Sequence, residues 1–597
     1  MSSPSSMSGI AAFGALTAVF AVGFTVLAVR LKEEQVDNAA EHRRDMQSQS
    51  FRRVQTSGLR GRIFDRHGTL LADNRLSLDI SVNPVAYRSH ARGETTEARL
   101  SGAIKALSAI IGRKATVGEA TLRRHLRQEL ARPLVVWRDV TDAELARFEE
   151  CADEFPGFEC TASCERVYPQ GRHAAHLVGR VGRDRLPASG GAAPNFVDRD
   201  MCGREGLELQ YDGYLRGMPG EERILVDARG FAVAHETLVA PHDGPDLKLT
   251  IDLDLQKAAE AELEGRRGAL VALDPRDGAV RVLASAPSFD PNEFVPILTQ
   301  EVYARHRDDP DRPLLNRATA GTYAPGSTFK PLTALAGLRT GHGADEIREC
   351  TGAYDLGGMK IRCSRTWGHG PLDLTHALRE SCNPYFCGLG VAAGTNALVY
   401  VARAFGLGAR TGIDFPTDAA GVVPTPEWKA AHASGDDVRW RTGDLAQMSI
   451  GQGQLLVTPL QMARVAAALG TGMLSLPRLN AALPPECVPV DVKSWCLEVV
   501  RRGMRMVVDG GTGRRAGEGV DAYVIGKTGT AQVGPRGRIR KNTWFIAYAT
   551  PVARSRVQEP LAMAVVIEDG ESGGGTAAPI VASVLRSFYN RREEAVQ

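Results

Sequence analysis

Charge of one sign is nearly missing from the excess: 72 Lys and Arg against 70 Asp and Glu leave the 597-residue chain at a formal +2. No block of Lys and Arg stands out, so the electrostatic footprint of a nucleic-acid-binding surface is lacking. There is no convincing Gly-rich nucleotide-binding fingerprint, and no internal repeat or low-complexity tract runs through the chain. Met1 to Met7 contain no Lys or Arg, and no clear Ala-x-Ala site follows, which argues against a cleaved secretory signal. What is present is a globular composition, 43% hydrophobic and 24% charged, over a length that predicts three or four folded units. Residues 8–29 carry no charge over 22 positions, enough to cross a bilayer once as an uncleaved anchor.

The chemistry gathers at Gly321-Thr-Tyr-Ala-Pro-Gly-Ser-Thr-Phe-Lys330. Pro325 and Gly326 break the preceding element, and a helix-favouring run follows from Thr328 to Leu338. Ser327 is thereby placed at a helix N-terminus, where free N–H groups favour developing negative charge. Lys330, three residues on, lies on the same face. A lysine can deprotonate a serine only if burial or a neighbouring cation keeps its amine neutral. Alone, Ser-x-x-Lys reads more readily as a serine cap beside a solvated lysine than as a catalytic pair. Ser381-Cys-Asn383 lies 54 residues downstream, however, and Lys527-Thr-Gly-Thr530 a further 146.

In this order the three signatures resemble those of penicillin-binding proteins and serine β-lactamases. The chain is identified as a member of the class B penicillin-binding proteins, the peptidoglycan D,D-transpeptidases. The resemblance extends to Arg60-Gly-Arg-Ile-Phe-Asp-Arg-His-Gly, Arg166-Val-Tyr-Pro-Gln-Gly171 and Gly206-Leu-Glu-Leu-Gln-Tyr-Asp212, which match the family's non-catalytic pedestal. Its long pedestal sets the chain apart from a β-lactamase or β-lactam sensor. Gly368-His-Gly370 and Ile450-Gly-Gln-Gly453 favour the elongation (rod-shape) type over the septal one.

The resemblance implies an α+β fold: an antiparallel sheet flanked by helices, on an elongated β-rich pedestal, with one N-terminal transmembrane helix. We expect a short tail at 1–7, the anchor at 8–29, a pedestal at 30–245 with its head near 84–165, and the transpeptidase domain at 246–597. A helix is predicted to continue from Arg30 to Arg53. Strands are predicted at Leu134–Val140, Leu247–Asp252, Ala269–Asp274, Ala279–Ala284, Ala522–Lys527, Asn542–Ala549 and Leu561–Glu568, and a capping box at Thr141 and Glu144. By resemblance Ser327 attacks the D-alanyl-D-alanine end of a stem peptide, with Lys330 as general base, depressed by burial and by Lys527. Ser381 relays a proton, and Asn383 holds Lys330 or the substrate amide. Lys527, Thr528 and Thr530 grip the terminal carboxylate beside Gly529, which lets substrate pair along the strand edge. The backbone N–H groups of Ser327 and Thr530 form the oxyanion hole. β-Lactams are expected ligands, and a membrane-embedded glycan polymerase and the rod-shape scaffold expected partners. The inner membrane is the implied location, with the catalytic domain periplasmic. The charges disagree: Arg30, Lys32, Arg43 and Arg44 follow the span and none precedes it, the reverse of the positive-inside pattern.

Cys350, Cys363, His369 and Cys382 are separated by 12, 5 and 12 residues. Three thiolates and an imidazole make a closed structural zinc set, and some elongation-type relatives carry a zinc near this position. A Cys350–Cys363 hairpin disulfide is the alternative in an oxidising compartment. Of the other cysteines, Cys487 is expected to pair with Cys496, and Cys151, Cys160, Cys164 and Cys202 to form two bridges. Cys387 is expected to be a buried thiol. His173 and His176, with no clustered partner, are read as packing residues.

Overall fold

The computed structural model describes residues 7–38, 51–88, 95–183, 196–197, 201–296, 298–358, 360–534 and 540–590. The N-terminal apolar segment is a helix from Met7 to Lys32, fully exposed where its side chains are described, with a π-turn to Asp37. The helix expected to run on to Arg53 does not do so: Phe51–Thr56 is a strand. Val54 is buried in a sheet core there, while Arg53, on the opposite face of the strand, is exposed. Arg43 and Arg44 lie outside the described residues.

Two sheets build the segment between the anchor and residue 250. One has the order 232–239, 220–226, 51–56, 196–197. The other runs 247–248, 63–64, 70–82, 134–137, and the long Leu70–Val82 strand also pairs with Phe158–Val167, register Asp73↔Val167 to Val82↔Phe158. The turn at His67-Gly68 forms as the sequence predicts: Asp65 Oδ1 accepts from the N–H groups of His67 and Thr69, at 2.9 and 2.7 Å, and Gly68 takes φ +92°. The strand from Leu134 ends at Trp137 rather than Val140, because Asp139 adopts φ +49°, outside the extended region. The Thr141/Glu144 capping box is present. Helices Thr96–Ile111, Glu119–Gln128 and Asp142–Glu149 share with these strands a hydrophobic cluster of their own, around Ile80, Leu100, Trp137 and Phe158.

The three pedestal motifs, far apart in sequence, meet at one carboxylate. Glu208 is wholly buried between two guanidinium groups, Arg60 at 2.5 Å and Arg166 at 2.7 Å; Arg60 also reaches Asp212 at 2.8 Å. Removing one member of so buried a set leaves an uncompensated charge, a loss of about 3–5 kcal/mol.

Pedestal and C-terminal region are packed without a break. Ile63, Leu71, Tyr168, Leu177 and Leu207 belong to the same buried cluster as Leu247, Leu249 and Ile251. The alternation predicted for Leu247–Asp252 is not kept, since Thr250 and Asp252 are buried with the apolar residues, and only Leu247–Lys248 forms a ladder because its partner Ile63–Phe64 is two residues long. Arg66 clamps Glu559 with both terminal nitrogens, at 3.0 and 3.1 Å.

The C-terminal sheet has five antiparallel strands, in the order 280–286, 268–273, 561–567, 540–551, 522–533. Both faces are covered, so Gly268–Leu273 and Leu561–Ile567 read as unbroken apolar runs. Leu270, Val282, Phe545 and Val565 pack on helices Leu253–Glu262 and Ala578–Tyr589. Val271, Trp544, Ile546 and Ala564 face the opposite layer, which includes Pro459–Thr471. Ala522–Val533 ends the sheet, so one of its edges carries unpaired backbone groups.

Candidate active site and thiol cluster

Beside that edge lies the loop Gly321–Lys330. Trp544 Nε1 donates to the Ala324 carbonyl at 3.0 Å, and Tyr323 exchanges backbone bonds with Val457. Gly326, at φ +55°, donates to the Gly451 carbonyl at 2.8 Å; a Cβ on Gly451 would lie 2.0 Å from the Gly326 oxygen. A 3-10 turn, Gly326–Phe329, then leads into the helix Lys330–Arg339. Ser327 is half-buried at the turn, and Lys330 is fully buried at the first helical position.

Ser381 caps the helix Leu374–Glu380 with φ +54°, a left-handed conformation that costs a non-glycine residue about 1–3 kcal/mol and clusters at functional sites. Cys382 then caps Asn383–Ala393, with Pro384 at its start. The Lys330 amine donates to the Ser381 carbonyl at 2.5 Å, the Asn383 Oδ1 at 2.7 Å and the Ser381 hydroxyl at 3.2 Å, with the Phe386 ring 5.6 Å away. Lys527 reaches the same hydroxyl at 2.9 Å. Burial brings the Lys330 amine down to about 8, against the upward pull of the Cys382, Cys387 and Cys363 sulfurs. Lys527 is held well below the ordinary lysine value, by burial first and by the Lys330 charge second. The depression expected at Lys330 from Lys527 thus takes a different form: burial lowers Lys330, and Lys330 in turn lowers Lys527.

The other residues of the Lys-Thr-Gly-Thr motif have distinct neighbours. Thr528 shares a 2.7 Å hydrogen bond with the Thr512 hydroxyl, and the Thr530 hydroxyl accepts from Gly573 N–H at 3.3 Å. A Cβ on Gly529 would stand 2.8 Å from the Pro325 carbonyl and 2.9 Å from Thr328 Cγ2, so glycine is required for the strand to approach the serine loop. Sequence reasoning did not find Thr512 or Gly573, which lie 16 and 43 residues from their partners, and it noted Gly451 only within the Ile450-Gly-Gln-Gly453 motif, not as the partner of Gly326.

Cys350, Cys363, His369 and Cys382 converge, their ligand atoms all within 4.8 Å of one another. His369 Nδ1 lies 3.3 Å from Cys363 Sγ and 3.6 Å from Cys350 Sγ. The Glu380 carboxylate lies 3.9 Å from Nε2, on the ring's other side. The Cys363 thiol is pulled below its ordinary value by the Cys382 thiol, then by N–H groups of Asn383 and Arg365, while burial opposes. Soft donors of this number, with a carboxylate behind the imidazole, suit a closed tetrahedral zinc site.

All ten cysteines are free. The expected Cys487–Cys496 bridge is not formed: the Cys487 thiol donates to the Arg276 carbonyl at 3.3 Å, while Cys496 is buried on the helix Ser494–Gly510. Nor are Cys151, Cys160, Cys164 and Cys202 bridged; Cys202 donates to Gly182 O, and Cys151 and Cys160 pack against the head cluster. Cys387 is a buried thiol facing Ala446 O at 3.5 Å. His176 is buried against the Pro313 carbonyl, as a packing role requires, whereas His173 is part-exposed and pairs with Glu260.

Residues 268–586 match the family model of the penicillin-binding protein transpeptidase domain, more than half of the chain. The chain belongs to the penicillin-binding proteins. Residues 55–249 match the penicillin-binding protein dimerisation domain. The peptidoglycan D,D-transpeptidase MrdA of Acinetobacter baumannii is 33% identical over 561 residues, covering 87% of this chain and 78% of that one. Among solved structures, the Helicobacter pylori penicillin-binding protein PBP2 in complex with MreC superposes with TM-score 0.77 at 26% identity, over 90% of this chain and 99% of that chain. A peptidoglycan synthase complex that coordinates polymerization and crosslinking contains a chain matched with TM-score 0.70 at 29% identity, over 98% and 99%. This penicillin-binding protein therefore has the α+β fold expected of it, with one N-terminal helix long and apolar enough to span a membrane.

Proposed function

We propose that Ser327 is the nucleophile of acyl transfer from a stem peptide ending in D-alanyl-D-alanine. The chain is a serine peptidoglycan D,D-transpeptidase of the elongation type. One observation carries the assignment of roles: the Ser381 hydroxyl stands between the buried amines of Lys330 and Lys527. Lys330, one turn beyond Ser327 and neutral above about pH 8, takes the serine proton. The serine oxygen bonds the penultimate carbonyl carbon, and the N–H groups of Ser327 and Thr530 hold the resulting oxyanion, each such donor being worth about 2.7–4 kcal/mol. As the intermediate collapses, the proton passes from Lys330 through the Ser381 hydroxyl to the leaving D-alanine. The amine of a second strand then attacks the ester and releases Ser327. Asn383 keeps the Lys330 amine in register, while Lys527, Thr528 and Thr530 take the terminal carboxylate along the edge strand beside Gly529.

Cys350, Cys363, His369 and Cys382 would hold a zinc ion that supplies no chemistry to the reaction and braces the loop carrying Ser381 and Asn383. Residues 8–29 anchor the chain in the inner membrane, 30–245 form the pedestal with its head at 84–165, and 246–597 form the periplasmic catalytic domain. An MreC-like scaffold, as in the matched complex, and a glycan polymerase fit the pedestal and span as partners. The supporting assay supplies full-length protein with a D-alanyl-D-alanine stem peptide and an amine acceptor. Cross-linked product with one D-alanine released per link is expected. Hydrolysed peptide alone, or filaments with blocked septa on depletion in place of rounded cells, would contradict the reading.

A further inference from the structure

Between the thiol cluster and the active site runs the short strand Lys360–Arg362, exposed, buried, exposed. Ile361 therefore faces inward and the two basic side chains face solvent. Lys360 is paired, its amine 3.4 Å from Asp355. The Arg362 guanidinium makes no ion pair and no hydrogen bond among the described residues. Yet its backbone is fixed at the heart of the site. The Arg362 carbonyl accepts from Asn383 Nδ2 at 2.9 Å, and the Oδ1 of that same amide accepts from the Lys330 amine at 2.7 Å. On its other side Arg362 is joined to Cys363, which is pinned against His369. The loop continues to Trp367, 81% exposed.

A cation whose backbone is anchored on both sides, but whose head group is unpartnered, contributes nothing evident to the fold. Its planar fork of donors fits a carboxylate in two parallel hydrogen bonds. Resting on the transpeptidase reading above, the direction of the donor peptide follows. Its terminal carboxylate lies by Lys527 and Thr530, its penultimate carbonyl at Ser327, and its preceding residue leaves past Ser381 and Asn383, toward Arg362. We propose that Arg362 is a specificity-determining residue that takes a side-chain carboxylate on the donor stem peptide, at the residue before the D-alanyl-D-alanine pair.

The test uses the full-length protein and two synthetic stem peptides that differ only in whether that side-chain carboxylate is free or amidated. Release of terminal D-alanine is followed for each, and kcat/KM compared as a ratio. The wild type should prefer the free carboxylate about tenfold, the scale of a charge-assisted hydrogen bond, with the difference in KM. Arg362→Ala and Arg362→Gln should bring the ratio close to one, and Arg362→Lys should keep part of it. A ratio preserved in Arg362→Ala, with both rates falling together, would overturn the proposal and leave Arg362 a structural support of Asn383. So would a wild type that does not distinguish the peptides. Failure of the wild type to bind penicillin covalently is a separate result, and it would strike the transpeptidase reading itself.

Discussion

Lys330 and Lys527 converge on one oxygen, the Ser381 hydroxyl, at 3.2 and 2.9 Å. Burial lowers the Lys330 amine, and burial together with the Lys330 charge lowers that of Lys527, so the two amines need not both be charged at this position. Ser381 occupies its place in a left-handed backbone conformation, so the contact is maintained against local strain.

The pH dependence of acylation follows from Lys330. Its amine titrates near 8, so it is a cation at lower pH and a base above. Acylation by penicillin should rise through about pH 8 and level off. The stability sign is also set: between about 8 and the ordinary 10.5 the unfolded chain binds more protons than the native one, so the fold gains stability as pH rises across that window. Stopped-flow acylation against pH checks the first point and denaturant titrations the second. A rate limb near pH 6 would contradict Lys330 as the base.

Gly529→Ala should impair acylation far more than it impairs folding. The added methyl meets the Pro325 carbonyl and Thr328, the walls of the Ser327 turn. Overpacking of this kind costs about 1–3 kcal/mol, and relief comes by parting the edge strand from the serine loop. Acylation rate and Tm measured together decide it. An unchanged rate would mean that the strand tolerates the shift.

The thiol cluster predicts a linked loss. Cys363→Ser should lower Tm and slow acylation together, although Cys363 is assigned no contact with substrate, because the Ser381 loop loses its brace. Chelator should act on the wild type in the same way. Glu380→Gln, which removes the carboxylate behind His369 along with its pairing to Arg365 and Arg379, should weaken zinc binding about tenfold. Metal analysis gives the readout: one zinc per chain, with Cys350 and Cys363 alkylated only after chelation. No metal, with those two cysteines linked in a peptide map, would establish the disulfide instead.

The parts of the site that could be read in the sequence are those whose spacing is local. Ser327 and Lys330 are one turn apart, and Lys527 to Thr530 lie on one strand, so their proximity needs no knowledge of the fold. The thiol set was also legible, since four soft ligands in 33 residues have few other uses. The partners that shape the site were not. Thr512 bonds Thr528 and Gly573 meets Thr530 only once the sheet is assembled, and Gly451, visible as part of a motif, gave no sign that it secures Gly326. Cysteine pairing failed for a related reason. Sequence separation brings Cys487 and Cys496 near one another, but strand and helix turn their side chains to different surroundings. The strand at Leu134 ended early because one aspartate, Asp139, took a positive φ that no propensity announces.

The most direct test of the whole account is intact-protein and peptide mass spectrometry of the chain mixed with a penicillin. One covalent adduct should form, map to Ser327 and persist for many minutes. It should be absent from Ser327→Ala, whose unfolding free energy should stay within about 0.5 kcal/mol of wild type because the change removes one half-buried oxygen. Labelling of Ser327→Ala, an adduct on another residue, or rapid turnover to hydrolysed drug would contradict it.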